Sequence, residues 1–198
     1  MDNIHPIFER IVSRKEKEQF LNQQAKVFWL TGLSGSGKST IAEKVERMLF
    51  EKGYLVQIID GDNMRSGVCN NLGFSLDDRE ENIRRIAEVS KLFIQCGVIC
   101  INSFVSPTKE IRKKAKEIIG EDDFFEVHIS TSIEECENRD VKGLYAKARA
   151  GEIKNFTGID SPFEIPEKPS LTINTAEQTI DQSSKLLYDL INKTIILK

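Results

Sequence analysis

The chain has 198 residues, enough for one domain with a sizeable core. A hydrophobic share of 39%, a charged share of 30% and a net charge of −3 describe an ordinary globular protein and exclude a broad basic surface for nucleic acid. No apolar run has the length of a membrane span, and the opening MDNIHPIFERIVSRKEKEQF is charged throughout with no signal-peptide core, so the expected compartment is the cytoplasm and no membrane partner is expected.

In chain order, residues 1–25 read as an N-terminal helical segment with a helix over 14–23, able to dock on its own domain or on a partner. The apolar run Val27-Phe28-Trp29-Leu30 marks a strand over 26–31. It leads into GLSGSGKST at 32–40 and then a helix over 38–52, stopped at Gly53. Strand, glycine-rich turn and helix N-terminus are the setting in which G-x-x-x-x-G-K-[ST] binds phosphate. Gly32, Leu33, Ser34, Gly35, Ser36, Gly37, Lys38, Ser39 and Thr40 are therefore the candidate triphosphate cradle. In it, Lys38 reaches the β- and γ-phosphates and the Ser39 hydroxyl ligates Mg²⁺. ATP and Mg²⁺ are the expected cofactors.

A second strand, 54–60, ends in Asp60-Gly61-Asp62-Asn63-Met64-Arg65. Carboxylates at the C-terminal end of a strand face the ligand crevice of an open α/β sheet. One of Asp60 and Asp62 suits proton transfer from a hydroxyl, and the other suits the metal. Ser75 and Asp78 signal a capping box opening a helix over 77–96, which Gly97 stops. Arg79, Asn82 and Arg85 fall on neighbouring faces of that helix and, with Arg65, offer guanidinium groups to an anionic second substrate.

Further strands are predicted at 98–103, 124–130 and 171–174, and helices at 107–119, 132–138 and 176–192. Short strands alternating with helices predict a P-loop three-layer α/β sandwich, with a mostly parallel sheet of about five strands and helices on both faces. Cys69, Cys96, Cys100 and Cys136 form no C-x-x-C pair and read as reduced thiols, while His128 reads as structural within its strand. Residues 140–168 break the alternation; a stretch this long, rich in Lys, Gly and Pro, is expected to be a lid that excludes water. The domain then spans 26–198.

Taken together, TGLSGSGKST at 31–40, DGDNMR at 60–65, LGFS at 72–75, DREENIRR at 78–85, SFVSP at 103–107 and DVKGLYAKARAGEIKNFTGIDSPFE at 140–164 resemble adenylyl-sulfate kinases. These enzymes phosphorylate the ribose 3′-hydroxyl of adenosine 5′-phosphosulfate (APS). The resemblance implies that Asp62 is the general base or orienter, with Asp60 and Ser39 near the metal. It implies that Arg65, Arg79 and Asn82 contact the phosphosulfate and ribose, that Phe74 and Phe156 sandwich the acceptor adenine, and that Val105, Ser106 and Leu144 lie at the acceptor. Lys142 would stabilise the transferring charge, and Arg139 and Thr175 would hold the ATP adenine. Ser106 matches a serine described as a phosphoserine intermediate, although direct in-line transfer suffices for this chemistry. A homodimer is a further expectation. The chain departs from the pattern at Ser66-Gly67-Val68-Cys69-Asn70-Asn71, where a basic side chain is missing, and at Thr108 and Lys109 in place of an aromatic residue and an Arg. A P-loop kinase of another nucleotide or small metabolite is the alternative reading, and a nucleotide-binding subunit without turnover is a second.

Overall fold

The computed structural model describes residues 3–197. The predicted ends at residues 1–2 and 198 lie outside the described residues. Five strands, β1 (Val27–Thr31), β2 (Val56–Asp60), β3 (Ile99–Ser103), β4 (Phe124–Ser130) and β5 (Leu171–Asn174), form one sheet in the order β2-β3-β1-β4-β5 with every pairing parallel. β1 lies between β3 and β4, and the chain fills the β2–β3 side before crossing to β4, so the C-terminal end of β1 is a topological switch point, where open α/β sheets form their ligand crevice.

The alternation within β1 sorts the core into two layers. Val27 and Trp29 point to the face covered by α4 (Leu76–Gln95) and α5 (Lys109–Ile119), together with Ile83, Ile86, Ile111 and Ala115. Phe28 and Leu30 point to the face covered by α2 (Lys38–Phe50) and α8 (Ile180–Ile195), with Ile41, Val45, Leu187 and Ile191. All five β1 side chains are buried, which is why the run carries no polar alternation. Each large side chain buried in this way contributes roughly 1.5–3 kcal/mol.

Several helix boundaries differ from the sequence reading, and two helices had no counterpart in it. The first helix, α1 (Arg14–Leu21), stops before 23 because Asn22 adopts a left-handed cap conformation at φ 52°. The last begins at 180, not 176, because Thr179 and Gln182 form a full capping box. Helix α5 begins at 109 behind the Thr108 cap, and Ser75 accepts from the Asp78 N–H to open α4. The two extra helices are short: α3 (Gly61–Arg65) and α7 (Leu144–Arg149), the latter inside the predicted lid. Helix α6 (Ile133–Arg139) lies as expected, and Gly53 and Gly97 follow α2 and α4 as their stops. Residues 13–25 dock on their own domain: Arg14 pairs with Asp123, Gln23 donates to Leu55 and Gly97 carbonyls, and Lys17 donates to the Gln95 carbonyl. Cys69, Cys100 and Cys136 are buried free thiols, and Cys96 is exposed.

Candidate active site

The loop after β1 is shaped by two glycines. A Cβ on Gly32 would stand 2.6 Å from the Ile129 carbonyl of β4, so only glycine lets the loop cross there. Gly37 occupies the N-cap of α2 at φ 97°, which turns the first helical N–H groups toward the crevice. Buried Lys38 folds back beneath the loop, its Nζ donating to the Gly32 and Leu33 carbonyls at 3.0 and 2.7 Å and to Ser36 Oγ at 3.3 Å. Burial pushes its ammonium down to about 8, against the opposing influence of Cys136 and Asp60. A cation held at such cost under a glycine-rich loop is a charge kept for an anion.

Beside it lies a corner of hard oxygens. Ser39 Oγ donates to Asp60 Oδ2 at 2.8 Å and sits 3.1 Å from Ser103 Oγ. Asp60 also caps α3, its Oδ1 accepting from the Asp62 N–H at 3.0 Å. Among the described residues no group of three His, Cys, Asp or Glu could hold a metal unaided. A hydroxyl and one carboxylate suit a cation that completes its octahedron with water and phosphate oxygens. Exposed Asp62 is ion-paired with Lys142, which reaches across from the lid.

The opposite wall belongs to α3, the 72–75 turn and α4. The Arg65 guanidinium lies 4.3 Å over the Phe74 ring and donates to the Leu72 and Gly73 carbonyls at 3.1 and 2.8 Å. Arg79 donates to the Phe74 carbonyl at 3.0 Å, to Thr157 Oγ1 at 2.9 Å and to the Asn155 carbonyl at 2.6 Å, binding this wall to the lid. Burial, then the charge of Arg65, lower its pKa. Asn82 is 4% exposed and its Nδ2 has no partner within the protein. A buried amide donor facing a cleft is a group that a ligand or water must satisfy.

These groups line one cleft of about 320 Å³: Ser34, Gly35, Gly37, Lys38, Ser39 and Thr40 on one side, Asp60, Asp62, Arg65, Phe74, Arg79 and Asn82 on the other, closed by Val105, Ser106 and Lys142. Ser106 stands at φ 37° with its hydroxyl fully engaged, accepting from Trp29 Nε1 at 3.1 Å and donating to Thr31 Oγ1 at 3.0 Å. Arg139 and Thr175 lie outside the cleft and flank the loop from behind: Arg139 donates to Thr175 Oγ1 at 3.0 Å, and Thr175 donates to the Ser36 carbonyl at 2.9 Å. Leu144 and Phe156 do not line the cleft. Phe156 packs edge-on against Tyr145 at 4.9 Å, in a small cluster with Leu33 and Cys136. Tyr145, Ser103 and Asp140 do line it, and sequence reasoning passed over all three. Tyr145 donates to the Ser34 carbonyl at 2.9 Å, and burial beside Cys136 pushes its phenol up, keeping it a neutral donor.

The adenylylsulphate kinase family model matches residues 24–174. The chain belongs to the adenylylsulphate kinase family. It is 58% identical over 190 residues to an adenylyl-sulfate kinase of Phocaeicola vulgatus, covering 96% of this chain and 93% of that one. A second, from Bacteroides thetaiotaomicron, is 57% identical over 190 residues, with coverage of 96% and 94%. Among solved structures, the Mycobacterium tuberculosis APS kinase CysC, in complex with AMPPNP and APS, superposes with a TM-score of 0.83 at 47% identity, over 85% of this chain and 98% of that one. In this adenylylsulphate kinase family member the stretch 140–168 has two parts. Residues 144–159 pack over the phosphate loop through Tyr145 and Phe156, whereas Phe163 and Glu164 are fastened to α5 and β4.

Proposed function

We propose that this chain transfers the γ-phosphoryl group of ATP to the 3′-hydroxyl of APS, giving 3′-phospho-APS (PAPS) and ADP. The observation that carries this reading is the shared cleft, in which a phosphate loop and a hydroxyl–carboxylate corner face an arginine, aromatic and amide wall. Lys38 leaves its carbonyl partners for the β- and γ-phosphates when the anion arrives. Ser39 and Asp60 would hold Mg²⁺, which when bound offsets charge on the phosphate oxygens. Asp62 orients the acceptor hydroxyl and takes its proton, Arg65 and Arg79 hold the phosphosulfate, and the Asn82 amide donates to the acceptor. Phe74 and Phe156 stack on the acceptor adenine. Val105, Ser106 and Leu144 shape the acceptor side, and transfer is direct, because the Ser106 hydroxyl is already committed to Trp29 and Thr31. Lys142 follows the transferring charge, and Arg139 and Thr175 support the ATP adenine.

A coupled ADP-release assay with MgATP and APS, and AMP, shikimate and gluconate as control acceptors, tests this reading. ADP formation that requires APS, with PAPS identified by mass, is the expected result; turnover with a control acceptor alone overturns it. The reading extends to a homodimer in the cytoplasm. Ile4, Phe8, Val12 and Phe20 stand 59–89% exposed in the single chain and offer apolar surface to a second copy. Light scattering at micromolar concentration is expected to give twice the chain mass of 22.5 kDa.

A further inference from the structure

Tyr145 is buried at 2% exposure, yet nothing in the chemistry above gives it a task. Its backbone is fixed first: Asp140 accepts from the Tyr145 and Ala146 N–H groups, both at 3.0 Å, and so holds the start of α7. From there the side chain touches two things that belong to different substrates. Its hydroxyl donates to the Ser34 carbonyl of the phosphate loop at 2.9 Å, and its ring packs edge-to-face with that of Phe156 at 4.9 Å and 79°. The contact is reinforced nearby. A Cβ on Gly158 would lie 3.1 Å from Leu33 Cδ2, so the same lid segment also rests on the neighbouring residue of the loop.

The Ser34–Gly35 peptide, like every other described peptide in the chain, is trans. In a trans peptide the C=O and the following N–H point in opposite directions. A hydroxyl that holds the Ser34 carbonyl therefore also sets the direction of the Gly35 N–H, one of the donors a phosphate loop offers to its anion. Without that partner the plane can rotate, because Gly35 sits at φ 74° and carries no Cβ to resist. The other side of the ring props Phe156, whose carbonyl neighbour Asn155 is held in turn by Arg79 at 2.6 Å.

We propose that Tyr145 is a positioning residue that couples the two halves of the cleft, setting the Gly35 N–H for nucleotide phosphate through its hydroxyl and the Phe156 ring for the acceptor through its edge. The Phe156 half rests on the function proposed above; the Gly35 half does not. The two substitutions Tyr145→Phe and Tyr145→Leu separate the halves. The first removes the hydroxyl and keeps the ring, and the second removes both.

Binding of Mg·AMPPNP is measured calorimetrically without acceptor, followed by steady-state kinetics with APS and by thermal unfolding. Tyr145→Phe is expected to weaken the analogue about three- to tenfold, the equivalent of one hydrogen bond, and to leave the APS KM within about twofold. Tyr145→Leu is expected to show the same nucleotide loss and, in addition, an APS KM raised about three- to tenfold. A Tyr145→Phe protein that binds the analogue as tightly as the parent overturns the proposal. So does a loss that tracks a lowered melting temperature and disappears on cooling, since that is the mark of a merely structural side chain. An unchanged APS KM in Tyr145→Leu overturns the coupling to Phe156. Should the parent fail to use APS at all, the proposed function falls, and the acceptor-free titration still decides the Gly35 half.

Discussion

Lys142 and Asp62 meet across the mouth of the cleft, one from the lid and one from the first turn of α3. For Asp62 to face an acceptor hydroxyl the pair has to separate, and a triphosphate is the stronger attraction for Lys142. Asp62→Asn removes the proposed base while keeping shape; kcat is expected to fall about 10²–10⁴-fold with the AMPPNP Kd nearly unchanged. A collapse of nucleotide affinity in that variant would place Asp62 in the nucleotide site instead. Phe156→Ala is expected to raise the APS KM about tenfold with little change in kcat, read from initial rates over a range of APS. Residues whose chemistry is local in the chain, such as Lys38, Ser39 and Asp60, were legible because their spacing is the signal. Tyr145 and Ser103 were not: their places at the cleft are set through contacts with Ser34 and Ser39, 111 and 64 residues away in sequence. The departures from the family pattern also gain a physical sense here. Cys69 fills the core, Arg85 holds the Val68 carbonyl and the Asn71 side chain, and Lys109 pairs with Glu167 rather than facing the cleft.

Elements were legible where a residue pattern or a bracketing signal marked them. All five strands lay within two residues of the expected bounds, because each is a short, largely apolar run set between polar or glycine-bearing stretches. Helices α3 and α7 were missed because five and six residues make fewer than two turns, too short to show a 3.6-residue period. Helix α1 illustrates a different limit. Its own sequence is strongly polar, and what holds it is a set of ion pairs with a distant turn: Arg14 and Lys26 both reach Asp123. Partial burial works to raise the Asp123 carboxyl, but the hydrogen bonds and charges of Arg14 and Lys26 outweigh it and hold it below the usual aspartate range. A carboxyl with a depressed folded pKa contributes stability above its unfolded pKa, and that contribution is lost as pH falls through the folded value. Asp123→Asn is thus expected to cost about 1–3 kcal/mol at pH 7, a half-buried network lying between exposed and buried pairs. The difference from the parent should shrink below about pH 3.8, as followed by urea unfolding across pH.

At the scale of the molecule, the site is where the sheet reverses its order, and the 140–168 stretch has one fixed root. Phe163 stacks on His128 at 5.9 Å, the Lys109 N–H donates to Glu164 Oε2 at 2.6 Å, and Arg112 donates to the Ser106 and Glu164 carbonyls at 2.8 and 2.7 Å. Arg112 is itself buried, and its Nε stands 2.6 Å from Glu126 Oε1 of β4. One guanidinium therefore ties together the β3–α5 loop, the lid and the sheet. Ahead of this root the basic side chains stand in solvent, with Val141 86% exposed and Lys142, Lys147, Arg149 and Lys154 all exposed. We propose that this stretch acts as a lid, residues 141–157 moving about an anchor at 163–164. Trypsin is expected to cut the free protein first at those basic residues, and Mg·AMPPNP with APS to slow that cleavage. Arg112→Met keeps the stem and removes the tie. It is expected to lower stability by about 2 kcal/mol, since Glu126 is left without its partner, which corresponds to a melting shift of about 4–8 °C. It should also make the 141–157 cleavage insensitive to ligand. If ligand protection survives in Arg112→Met, the anchor lies elsewhere, and the fixed point of the lid has to be sought on the phosphate-loop side, at Tyr145 and Gly158.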